Sequence, residues 1–181
     1  MTLRIILAAI TLAWSMAGMA QEPSTGPYVT AGGPAFKVED RDVPLKEGMK
    51  YRVVLEATGY PGEPEAMNRE LTVVARFMNM HGKNGVPLED LDVAVVFHGR
   101  ALFAAMNNEA YRKEHGIDNP NLELLEDLAN AGVKFYACGQ SLGFRGLDKS
   151  ALATPVKVVL SALTMLVTSQ AEGYAFLPTR P

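Results

Sequence analysis

The stretch Asp92-Val93-Ala94-Val95-Val96-Phe97 constrains this chain more than any other. It is a continuous apolar run rather than an alternating one, and it ends abruptly on His98-Gly99. A strand that is apolar on both of its faces must be covered on both faces, as in a parallel sheet sandwiched by helices. The run does not stand alone. Tyr51 to Ala57 reads as an earlier strand, Val133 to Ala137 as a third, Val156 to Leu160 as a fourth and Tyr174 to Leu177 as a short fifth. Between them lie stretches of helical spacing. Met67, Leu71, Val74 and Met78 recur at that spacing from Glu65 to Met80, with Pro64 as the opening residue and Gly82 as the terminator. A helical region is expected from Ala101 to His115, stopped by Gly116. Asn119 is expected to cap and Pro120 to open a further helix that buries Leu122, Leu125 and Leu128 and ends at Gly132. Ser161 is placed to cap a last helix running to Ala171. Strands alternating with helices predict an α/β fold, a mainly parallel sheet with helices on both faces.

The flanks of this body read differently. Arg4, the apolar run Ile5 to Ala13 and the small residues from Ser15 to Ala20 have the pattern of a secretory signal peptide, cleaved before Gln21. The competing reading, a membrane anchor, requires a longer run and a flank that stops transfer. Residues 21–48 are expected to be a leader or linker, mobile from Gln21 to Pro34, with an edge strand conceivable between Phe36 and Gly48. Residues 49–181 then form one domain, a size that supports a single core. A net charge of -3 and the lack of a basic cluster exclude nucleic acid as an expected partner, and no membrane association is expected once the signal is removed.

Cys138 is the single cysteine, so no internal disulfide can form. It follows the third strand and opens the segment Cys138-Gly139-Gln140-Ser141. Carboxyl ends of parallel strands are where α/β folds bind ligands. Cys138 is therefore either an inert core residue or a working thiol. His98 and Cys138 are expected at one edge of the sheet, within about 10 Å of each other if their strands are neighbours. Gly99 and Gly139 would let the backbone turn there, and a short helix starting near Gln140 would lower the thiol pKa. His81 and His115 sit at expected helix ends and read as solvated or capping residues. No metal site is expected, because neither HxxxH nor CxxC spacing occurs. No Walker loop, strand-linked GxGxxG or GxSxG occurs either, and no cofactor is expected.

Four segments carry a family resemblance: Val95-Val96-Phe97-His98-Gly99; Asn119-Pro120-Asn121 with the leucines after it; Gly132-Val133 leading to Ala137-Cys138-Gly139-Gln140-Ser141; and Ser161-Ala162-Leu163-Thr164 leading to Gln170 and Gly173-Tyr174. Together they resemble the DsrE/DsrF-like family from about Tyr51 to Leu177, and most of all an exported branch with the Cys-Gly-Gln-Ser segment. The resemblance implies a three-layer α/β/α domain around a five-stranded parallel sheet, assembled as a trimer or hexamer. It also implies sulfane sulfur carried on a cysteine after a core strand, the position of Cys138. The expected function is that of an exported sulfur carrier or sulfurtransferase, periplasmic or secreted, that works with a donor or acceptor protein. Cys138 would hold a persulfide, His98 would tune its protonation, and Gln140 and Ser141 would hydrogen-bond the sulfur anion. The alternative is a non-catalytic oligomeric scaffold in which Cys138 is merely packed.

Overall fold

The computed structural model describes residues 21–179; the expected signal peptide lies outside the described residues. Five strands form the sheet: β1 Tyr51–Ala57, β2 Leu91–Phe97, β3 Lys134–Cys138, β4 Val156–Val159 and β5 Ala175–Leu177. The helices are α1 Arg69–Lys83, α2 Asn108–His115, α3 Leu122–Asn130, α4 Gly139–Arg145 and α5 Ala162–Ala171. The strand order is β4-β3-β2-β1-β5, and every pairing is parallel. Among the described residues no helix is long and apolar enough to cross a membrane.

This order decides which face each helix covers. From β1 to β4 the chain moves steadily across the sheet, so right-handed crossovers place every connection on one face. From β4 to β5 it returns past three strands, and the same handedness sends α5 to the opposite face. The core divides accordingly. Leu71, Val74 and Met78 of α1 and Leu124, Leu125 and Leu128 of α3 pack with Val95, Phe97, Phe135 and Ala137. On the other face Val54, Ala94, Val96 and Cys138 pack with Ala162, Met165 and Leu166. β2 is buried nearly throughout, as its unbroken apolar run demanded.

Three local expectations are corrected. Helix α1 starts at Arg69 rather than at Pro64, because Asn68 is the stronger start signal. Its Oδ1 accepts from the Leu71 N–H at 3.0 Å while its Nδ2 donates to the Gly59 carbonyl at 2.9 Å. The helix expected from Ala101 to His115 is broken. Gly99–Ala105 is a 3-10 segment, Met106 is extended, and α2 begins anew at Asn108 under the Asn107 cap. Asn119 is the cause: its Nδ2 donates to the carbonyls of Phe103, Ala104 and Met106, at 3.4, 3.1 and 2.6 Å, drawing off acceptors that a continuous helix would use. It therefore does not cap α3, whose own N-cap, Asn121, makes no side-chain capping bond.

The leader is also not free along its length. Val29 is fully buried, and the Asn79 side chain accepts from its N–H at 2.9 Å and donates to its carbonyl at 2.8 Å. Asp127 accepts from the Ala31 N–H at 2.9 Å. Polar anchors from α1 and α3 thus hold a segment that has no apolar periodicity of its own. No strand forms between Phe36 and Gly48; the one pairing nearby is an isolated bridge, Ser24 to Ala35.

Candidate functional site

The site lies where β3 and β4 end side by side. After β3 the chain enters α4, whose Leu142 joins the larger core; after β4 it enters α5 on the opposite face. Two adjacent strands whose connections leave on opposite faces open a crevice at their carboxyl ends, the topological switch point of an open α/β sheet. Cys138, the last residue of β3, stands in it opposite Val159 of β4.

Burial raises the Cys138 pKa, but the Ser141 hydroxyl, the Ser141 N–H, the Ala162 N–H and the Gln140 N–H outweigh it and hold the thiol below its ordinary value. Donors therefore come from the first turn after β3 and from the first residue of α5. Ser161 fixes the latter, since its Oγ accepts from the Thr164 N–H at 3.0 Å and sets the start of that helix. Ser141 owes its orientation to Gly99. The Gly99 N–H donates to Ser141 Oγ at 3.2 Å, which fills an acceptor position and leaves the hydroxyl proton for the sulfur. Gly99 has φ +56°, a conformation that a side chain would strain.

Gly139 and Gln140 follow Cys138 in the first turn of α4. A Cβ on Gly139 would lie 2.8 Å from the Val159 carbonyl oxygen and 3.3 Å from that of Leu160. This glycine lets the turn pack against the end of β4. Gln140 serves the sulfur through its N–H, while its side chain reaches toward the Leu160 carbonyl at 3.5 Å.

His98 and Cys138 lie on neighbouring strands, each one residue past the paired Phe97 and Ala137. The expected common edge is therefore present. The imidazole, however, turns toward β1: Nε2 meets Glu56 Oε1 at 2.6 Å, and His98 is not among the groups that bond the sulfur. Glu56 was missed in the sequence, although a carboxylate interrupting Val53-Val54-Leu55 at the end of a buried strand was a readable signal. The Ala162 N–H was missed because a backbone donor carries no side-chain signature.

The other two histidines are not solvated caps. His81 is buried, with Nδ1 2.8 Å from the Phe77 carbonyl and its ring against Tyr51. His115 stacks on Tyr60 within a cluster that includes Phe103 and Tyr111. Among the described residues no group of three or more His, Cys, Asp or Glu side chains is placed to hold a metal ion.

A five-stranded parallel sheet flanked by helices on both faces agrees with a family model that matches residues 49–178. The chain belongs to the DsrE/DsrF-like family. Membership suggests a sulfur-relay-like role. A solved structure of a protein of unknown function from Methanobacterium thermoautotrophicum shares the fold, with a TM-score of 0.53 and 23% sequence identity. The match covers 71% of this chain and 99% of that one. No curated protein matches the chain.

Proposed function

We propose that this DsrE-family protein carries sulfane sulfur on Cys138. The observation that carries the proposal is the place of the single thiol, at the switch point where β3 and β4 end side by side, with the Ser141 hydroxyl and the Ser141, Gln140 and Ala162 N–H groups holding its pKa below the ordinary value. A thiol held as an anion is the nucleophile that sulfur transfer requires. In loading, the Cys138 thiolate attacks the outer sulfur of a donor persulfide. The donor's S–S bond breaks, the donor leaves as a thiolate, and Cys138 keeps the sulfur as a persulfide. In unloading, an acceptor thiolate attacks the terminal sulfur and Cys138 departs as a thiolate. The same donors stabilise it as leaving group, and a leaving thiolate of low pKa departs faster. Because the chain has no second cysteine, the persulfide cannot collapse into an internal disulfide.

His98 would act from the rim rather than on the sulfur. Its Nε2 is held by Glu56, which leaves Nδ1 to exchange a proton with an incoming thiol. The N-terminal pattern from Arg4 to Ala20 supports export to the periplasm or beyond. A homo-oligomer, trimer or hexamer, is supported by the face that α5 covers incompletely. Leu163 is 77% exposed, Leu160 70% and Val167 68%, an apolar surface that a second copy would bury.

The scaffold alternative has one observation in its favour: Cys138 is 5% exposed. Alkylation of the native protein separates the two readings. A sulfur carrier should react at a rate comparable to free cysteine at matched pH. Labelling only after denaturation would assign Cys138 to packing.

A further inference from the structure

Beside the thiol lies a cleft of about 360 Å³ lined by Gly99, Ser141, Phe144 and Arg145. Ser141 joins this cleft to the thiol, since its hydroxyl also lowers the Cys138 pKa. Arg145 is held on two sides. Its Nε donates to the Gly99 carbonyl at 3.1 Å, and its guanidinium carbon sits 4.8 Å from the centroid of the Phe103 ring. This fixes the plane of the fork and leaves its terminal amino groups without a hydrogen-bond partner among the described residues. Arg100 lies over the next ring of the same cluster, 5.3 Å from the centroid of Tyr60, and the Tyr60 and Phe103 centroids are 5.2 Å apart.

Neither guanidinium forms an ion pair among the described residues. Carboxylates are present nearby but do not reach. Glu56 is engaged with His98, and Asp148 bonds Ser150. Arg145 also borders a neighbouring cleft that contains Glu109, Glu114 and Asp148, yet pairs with none of them. Two guanidiniums mounted on adjacent aromatic rings, neither in an ion pair among the described residues, give this side of the molecule positive charge that an oxyanion can meet. Arginine's planar fork suits an oxyanion because it offers two parallel donors.

We infer that this cleft binds the oxyanion end of a small sulfonate-type sulfur donor, of which thiosulfate is the simplest, an inference that rests on reading Cys138 as a sulfur-accepting thiol. The sulfonate oxygens face Arg145, with Arg100 adding charge, and the outer sulfur points toward Cys138 past Ser141. The thiolate attacks that outer sulfur and the donor's S–S bond breaks. Sulfite leaves with the electron pair, and Cys138 retains a persulfide anion. Three negative charges enter the step and three leave it. No oxidant or reductant is needed.

The test uses thiosulfate and the purified Cys138→Ser protein, which can bind the anion but cannot take its sulfur. Calorimetric titration should show binding that weakens at least tenfold in the added Arg145→Gln variant. Arg145→Lys, which keeps the charge but loses the fork, should fall between the two. Absence of binding, or an affinity unchanged in Arg145→Gln, overturns the inference; a thermal melt confirms that each variant is folded. Loading of wild-type protein from cysteamine persulfide, which has no oxyanion, separates this outcome from failure of the carrier reading. Loading from that donor combined with Arg145-independent thiosulfate binding removes the anion site and keeps the carrier. Arg145-dependent binding without any loading supports the anion site and overturns the carrier.

Discussion

Replacing Ser141 with alanine removes the one side-chain donor to the Cys138 sulfur and leaves the Ser141, Gln140 and Ala162 N–H groups in place. A hydrogen bond to a charged acceptor is worth about 1.5–3 kcal/mol. With three backbone donors still in place the low end applies, about 1.5 kcal/mol or close to tenfold in the thiolate fraction below the titration midpoint. The remaining thiolates become more nucleophilic as their basicity rises. With a Brønsted slope of about 0.4–0.5, that returns roughly threefold. Ser141→Ala should therefore be alkylated about threefold more slowly than wild type at pH values below the midpoint, and about threefold faster on the alkaline plateau. The two pH-rate curves must cross. Ser141→Thr, which keeps the hydroxyl, should follow wild type. The assay is the pseudo-first-order rate of iodoacetamide labelling across pH, read by intact mass. Parallel curves would mean that the variant alters access rather than protonation. Superimposable curves would refute the claim that the Ser141 hydroxyl stabilises the anion.

Three further perturbations test other parts of the account. Gly139→Ala brings a Cβ to 2.8 Å from the Val159 carbonyl oxygen, so it should lower the melting temperature by about 2–10 °C, the cost of overpacking a close backbone contact; an unchanged melt would show that β4 yields there. Asn79→Ala strips the partners from the Val29 N–H and carbonyl and should cost about 3 kcal/mol, with protease cleavage between Gly26 and Ala35 accelerated at least tenfold. Equal cleavage rates would show that Asp127 and Val29 burial hold the segment unaided. Leu163→Asp places a charge on the exposed apolar side of α5, where light scattering should report a smaller assembly than wild type. An unchanged mass would move the interface elsewhere.

The architecture was legible because its signals are physical and local. The unbroken Val93 to Phe97 run required cover on both faces, and Ser161 does what its position implied, capping α5. The Cys138 position could be read for the same reason: a buried strand that stops at a cysteine followed by glycine must present the sulfur at an edge. Failures cluster where long-range polar contacts override local preference. Asn119 looks like a helix cap in isolation, but it serves carbonyls 13 to 16 residues earlier in the chain and so breaks the helix expected there. Asn79 and Asp127 pin a leader that lies more than 40 residues from either, a relation with no trace in composition. The site was half legible. Gln140 and Ser141 were expected beside the sulfur, and the Gln140 side chain reaches instead toward the Leu160 carbonyl. His98 was placed at the right edge, but its bond to Glu56 depends on which neighbour strand the ring faces, and spacing along the chain is silent about that.

The central claim, that Cys138 accepts sulfane sulfur, meets its most direct test in the intact mass of the protein after exposure to a persulfide donor and removal of the excess. The account predicts a gain of one sulfur atom on wild-type protein, released on adding a thiol, and no gain on Cys138→Ser. A wild-type protein that takes up no sulfur, or a Cys138→Ser variant that takes up as much, would contradict it.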